Sequence, residues 1–143
     1  MSRRLSGAAA ALAILLTAAA LPAFADSGHG TMPMTTHAAP KGMAISATVS
    51  PDTMKGYNLH VSTRAFRWAP QHAGRRHRSG EGHAHLYLDG TKLTRLYGSW
   101  YYLGSLTPGR HELRVTLNGN DHGDSVRGGR ALAATVVVTV PAS

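Results

Sequence analysis

From residue 43 onward the chain alternates apolar and polar side chains, and that two-residue period is the mark of half-buried β-strands. Ile45, Ala47 and Val49 alternate with Ser46 and Thr48, and Pro51-Asp52 follows as a turn signal. Leu59, Val61, Thr63 and Ala65 alternate with His60, Ser62, Arg64 and Phe66, which predicts a longer second strand ending before Ala69-Pro70. His60 falls on its polar face and reads as a surface residue. His111, Leu113, Val115 and Leu117 alternate with Arg110, Glu112, Arg114 and Thr116; this is the clearest strand in the chain, with His111 expected at the rim of the core. Ala131 to Val140 closes the pattern as a β-branched strand before Pro141.

The stretch Gly80 to Lys92, GEGHAHLYLDGTK, carries the same period with different chemistry. Ala84, Leu86 and Leu88 share one strand face, whereas His83, His85, Tyr87 and Asp89 share the other. Asp89-Gly90 precedes a second apolar run, Leu93 to Tyr97, and Asp-Gly between two such runs predicts a tight hairpin. Two imidazoles two residues apart on a rigid strand can both reach one metal ion; a solvated strand face has the same pattern. Trp100, Tyr101 and Tyr102 read as core and edge packing. Gln71 to Gly82 reads as a polar loop with His72, Arg75, Arg76, His77 and Arg78. Without interleaved aromatic residues to stack bases, that basic cluster implies weak attraction to polyanions and no specific nucleic acid.

About seven short strands separated by turns argue for a single all-β domain, an antiparallel immunoglobulin-like β-sandwich over residues 43–141. A small open barrel is the alternative architecture. No internal repeat and no helical period occurs outside residues 1–25. Those residues read as an export signal: Arg3 and Arg4, an apolar Gly7 to Ala20, and Ala23-Phe24-Ala25 as the cleavage site. The expected mature chain has no transmembrane segment and is periplasmic or secreted. Residues 26–42, rich in Gly, Pro, Thr, His and Met without apolar periodicity, read as a flexible tail.

Composition narrows the chemistry. The chain has nine histidines and no cysteine, so no disulfide braces the fold and no thiolate can bind metal. Its formal charge of +8 favours anionic surfaces without identifying a partner. His29, Met32, Met34 and His37 in the tail combine imidazoles, which suit Cu(II), with thioethers, which suit Cu(I). The bland reading is a solvated linker. A nucleophile elbow, a P-loop and a zincin helix motif are all missing, and seven acidic residues form no evident catalytic pair, so the chain does not read as an enzyme.

Two resemblances extend this reading. From Phe66 to Val140, through FRWAP, GEGHAHLYLDGTKLTRLYGSWYYL and LTPGRHELRVTLNGNDH, the chain resembles a family of small exported bacterial proteins with a GHAHLY…DG…RLYG…LPPG-H…NDH framework. That resemblance brings no established activity with it. The closing LTPGRHELRVTLNGNDHGDSVRGGRALAATVVVTV is similar to the end of the periplasmic copper-binding proteins of the copper-resistance C type. Those are β-sandwiches with an Asp and a His on the loop between the last two strands, which bind Cu(II). The resemblance implies that role for Asp121 and His122, although the family spaces the pair differently and its amino-terminal histidine has no counterpart here.

Two functions follow as expectations. The first is a metal-binding protein for copper buffering, delivery or tolerance, with a periplasmic protein as partner. Its ligands would be His83 and His85, then Asp121 and His122, with His29, Met32, Met34 and His37 as a mobile auxiliary set; zinc is the alternative ion. The second is an immunoglobulin-like structural or interaction module with no metal role.

Overall fold

In a computed structural model the described residues are 34–142. The expected export signal, and with it His29 and Met32 of the expected auxiliary ligands, lie outside them. Among the described residues there is no α-helix, and two β-sheets face each other across one apolar core. The smaller sheet joins β2 (Ala44–Pro51), β3 (Tyr57–Arg64) and β7 (Trp100–Gly104) in the order β2-β3-β7. The larger is built on β5 (Glu81–Leu88) and β8 (Gly109–Asn118), with β6 (Thr91–Leu96) beside β5 and β11 (Ala133–Val140) beside β8. Its short members are β1 (Thr36–Ala38), β4 (Arg67–Trp68), β9 (Asp124–Arg127) and β10 (Arg130–Ala131).

The core forms where the inward faces meet. Met43, Leu59 and Val61 come from the smaller sheet and its entry, and Ala84, Leu86, Leu96, Leu113, Val115, Leu117 and Val138 from the larger. Each fully buried aliphatic side chain contributes about 1.5–3 kcal/mol, and this is the main drive that closes the sandwich. The alternation in β2, β3, β8 and β11 thus has the face assignments its sequence implies.

Several expectations change in detail. The described residues form eleven strands rather than about seven, because pairings of two to four residues occur inside segments without a hydrophobic period. Strand β3 stops at Arg64, before the expected end, since Ala65 adopts φ 51° and breaks the extended chain. The segment assigned to the tail is ordered at its end: Thr36–Ala38 pair in parallel with β9, Thr36 opposite Asp124 and Ala38 opposite Val126. Composition hid this strand because backbone hydrogen bonds, not apolar burial, attach it; the Ala39 N–H donates to the Val126 carbonyl at 2.8 Å. Of the aromatic cluster, Tyr101 packs on the core while Trp100 and Tyr102 are exposed, and His60 stacks on Trp100 with ring centroids 4.2 Å apart.

The Asp-Gly hairpin forms as its sequence implies. Tyr87 and Leu88 of β5 pair with Lys92 and Thr91 of β6, and Asp89 and Gly90 take φ of 50° and 82°, both positive as a type I′ turn requires. His111 anchors this turn: its Nδ1 lies 2.8 Å from the Asp89 carboxylate and its Nε2 2.8 Å from the Thr107 carbonyl. With an acceptor at each nitrogen the imidazolium is favoured, and the Asp89 hydrogen bond raises the His111 pKa above its ordinary value.

At the start of β5, Gly82 passes directly beneath the corner at Asn118 and Gly119. A Cβ at Gly82 would overlap the Asn118 carbonyl oxygen and lie 3.1 Å from Gly119 Cα, both rigid backbone. Gly82→Ala is therefore expected to destabilise the domain by about 3 kcal/mol, the upper end of the cost of overpacking. Chemical denaturation checks this; a loss below about 1 kcal/mol means that the two segments are not held as tightly as described.

Candidate metal centre

Strand β5 is buried on both faces. Ala84 and Leu86 point into the core, whereas His83 and His85 lie on the opposite face and are only 1% and 5% exposed. They are not on a solvated strand face. Opposite them on β8 are Asn118 and Thr116, in the register His83↔Asn118 and His85↔Thr116. These two residues are buried as well and join in a polar layer: Thr116 Oγ1 donates to Asn118 Oδ1 at 2.9 Å, and Asn118 Nδ2 donates to Asp124 Oδ1 at 2.6 Å.

The loop between β8 and β9 covers this layer and supplies a third imidazole. The His122 N–H donates to the Gly119 carbonyl at 3.0 Å, and the Gly119 N–H to the Gly123 carbonyl at 2.7 Å. This is a tight hairpin loop in which His122 takes φ 70°, the left-handed region in which a residue with a side chain costs about 1–2 kcal/mol. Glycine or asparagine usually fills such a site, so a histidine there requires compensation from its contacts. Its ring provides the contact: His122 Nδ1 lies 2.9 Å from His83 Nε2, and His83 Nε2 lies 3.0 Å from His85 Nε2.

Three ring nitrogens therefore converge, all within 4.8 Å of one another. A single two-centre hydrogen bond accounts for only one of these contacts. His83 Nε2 carries either one proton or one lone pair, yet it faces two nitrogens at contact distance. A shared electrophile satisfies all three lone pairs. Metal–nitrogen bonds of about 2.0–2.1 Å place neighbouring ligand nitrogens roughly 2.9–3.4 Å apart, close to the spacing seen.

The electrostatics keep these rings in their ligating form. Burial, followed by the charges of His122, Arg95 and Lys92, pushes the His83 pKa down to about 4. Burial, with Lys92 next, pushes His85 down to about 3. Burial and Arg95 lower His122 also. Neutral imidazole is the species that binds metal, and no proton has to leave first at neutral pH.

The other expected ligands are distributed differently. Asp121, adjacent to His122, turns away from the triad and joins His37 and His77, so the Asp121–His122 pair implied by the copper-resistance resemblance does not converge on one point. The left-handed turn at His122 separates the two side chains. His37 lies on β1, and Met34 is 69% exposed before it. In the sequence His77 is only one member of a basic loop; neither spacing nor periodicity connects it to residues 37 and 121. Glu81 is a further buried group, tied to Arg67, to His72 Nδ1 at 2.5 Å and to Asn120 Nδ2 at 3.0 Å. Through Asn120 it fixes the β8–β9 loop against the start of β5, and the Asn120 hydrogen bond heads the interactions that lower its pKa.

Compared with known proteins, the chain matches no family model, no curated protein and no solved structure. The centre therefore rests on geometry and charge.

The lowered pKa values of His83 and His85 set the acid response. In the unfolded chain both titrate near 6.5, while in the folded chain they stay neutral to about 4 and about 3. Between these limits the unfolded state binds more protons, so the metal-free domain loses stability as pH falls from about 6.5. A tenfold difference in proton affinity between the two states corresponds to about 1.4 kcal/mol, so the loss should reach several kcal/mol by pH 4. Urea midpoints measured from pH 7 to pH 4 check this. The His83→Gln/His85→Gln variant should lose markedly less over the same interval.

Proposed function

We propose that the chain is an exported copper-binding protein that buffers, delivers or confers tolerance to the ion, with His83, His85 and His122 as its ligands. The observation that carries this reading is the convergence of three neutral ring nitrogens in a buried polar layer. Copper is favoured over zinc because the set holds imidazoles and no carboxylate, and for nitrogen donors the affinity of Cu(II) exceeds that of Zn(II). Tyr97, whose ring centroid is 5.7 Å from that of His83, packs beside the triad. With the ligands mounted on β5 and a braced loop, the ion enters a preformed site, which suits holding and passing on a cation.

The immunoglobulin-like arrangement belongs to the same proposal. Its support is the order of the longer strands, β2-β3-β7 in one sheet and β11-β8-β5-β6 in the other. This corresponds to strands A, B and E facing G, F and C, with β6 in the place of C′.

A second reading, as a protein-interaction module, is favoured by one feature. Trp100 and Tyr102 on β7, at the edge of the smaller sheet, are 66% and 55% exposed, and large aromatic residues are enriched at interfaces. The two readings separate in one experiment, titration of the protein with Cu(II), Cu(I) and Zn(II) while binding and thermal unfolding are followed. A preformed site predicts tight copper binding and an increase in Tm, with about 4 kcal/mol of stabilisation at a thousandfold excess over Kd. His83→Ala/His85→Ala should abolish both. Copper binding without stabilisation, or binding unchanged in that variant, sinks the triad as the site and leaves the aromatic face as the better guide.

A further inference from the structure

The residues that the triad does not use form a cluster of their own. His37 on β1, His77 in the loop before β5, and Asp121 on the β8–β9 loop each bring a ligand atom within 4.8 Å of the others. His37 Nε2 lies 2.8 and 3.0 Å from the two Asp121 oxygens. The His77 ring stacks on that of His37 with centroids 3.6 Å apart and planes within 5°, and its Nδ1 is buried without a hydrogen-bond partner. The loop backbone is shaped around the two rings. A Cβ at Gly119 would come within 2.6 Å of His77 Nδ1, and one at Gly123 within 2.7 Å of His37 Nε2. Thus three segments distant in sequence meet with two imidazoles, one carboxylate and a polar atom that lacks a partner.

The geometry points to a second metal site here, for a divalent first-row transition ion held by His37, His77 and Asp121. The donor set differs from that of the triad: a carboxylate supplies one negative charge, and two nitrogens with one oxygen suit Zn(II), leaving a fourth position for water. Asp121 is the exposed member, so the ion has a path from solvent. The stacked rings have parallel planes, so taking both requires a tilt of one ring about its Cβ–Cγ bond, a soft torsion. An ion here would also fasten β1 to the fold. That strand is held by its pairing with β9, and by the Asp124 N–H donating to the Thr35 carbonyl at 2.9 Å and the Ala39 N–H to Val126. The two sites share no side chain, so this one stands whether or not the triad binds copper.

Zinc is the suitable probe, since thioethers such as those of Met32 and Met34 are poor ligands for it. Native mass spectrometry of the intact protein with Zn(II) should give two ions per chain. His77→Ala and His122→Ala should each retain one, and the double variant none. Hydrogen exchange supplies the structural readout: zinc at ten times Kd should slow exchange of the Ala39 and Asp124 amides about tenfold, in the wild type and in His122→Ala but not in His77→Ala. If His77→Ala leaves both the stoichiometry and this protection unchanged, the second site is overturned and the cluster is a hydrogen-bonded strap for β1. If instead only His122→Ala is without effect, the second site stands and the triad fails. Circular dichroism identical to wild type keeps each loss attributable to the ligand rather than to the fold.

Discussion

The pairing of β5 with β8 is the interaction on which the rest of the molecule depends. It runs in register from His83↔Asn118 to Leu88↔Leu113, and it places two different layers on the two sides of one strand pair. On the inner side Ala84, Leu86, Leu113, Val115 and Leu117 are buried to 0% exposure. On the outer side the same register aligns His83, His85, Thr116 and Asn118, which are almost as inaccessible. Burying polar groups is costly unless they find partners; His85 and Thr116 find theirs within the strand pair, and the β8–β9 loop supplies His122 to His83 and to Asn118. Shifting either strand by one residue would exchange the two layers, so apolar burial and the polar site fix the same register.

That dependence explains the unusual loop. Asn118 binds Asp124 and the His122 carbonyl, and Asn120 reaches across to Glu81 at the start of β5. The Gly74 N–H donates to the Asn120 carbonyl at 2.7 Å, which ties in the preceding basic loop as well. A loop braced at this many points can hold His122 in a left-handed conformation that an unsupported histidine would leave. The strain and the imidazole contacts occur at the same residue, as expected where geometry serves a site rather than stability alone.

Much of this is legible in the residues themselves. A period of two locates β2, β3, β5, β8 and β11, and Asp89-Gly90 fixes the β5–β6 hairpin, because both signals are local. The same alternation places His83 and His85 on one face, but it does not say whether water or protein covers that face. Cover comes from residues 119–124, and the contact between His83 and His122 spans 39 positions. Likewise His37, His77 and Asp121 come from three segments with no hydrophobic period, two of them read as tail and loop. Adjacent residues are ordinarily expected to serve one site. Here the chain turns through a left-handed residue at His122, and its side chain and that of Asp121 enter different clusters.

The split between Asp121 and His122 also divides the charge. The triad has neutral donors, with Lys92 and Arg95 close enough to depress its histidines, so each positive charge on an incoming ion meets repulsion. At the other cluster the Asp121 carboxylate reverses the sign of the local charge. Two clusters built on consecutive residues thus present a cation with differently charged donor sets, and a single loop sets that difference.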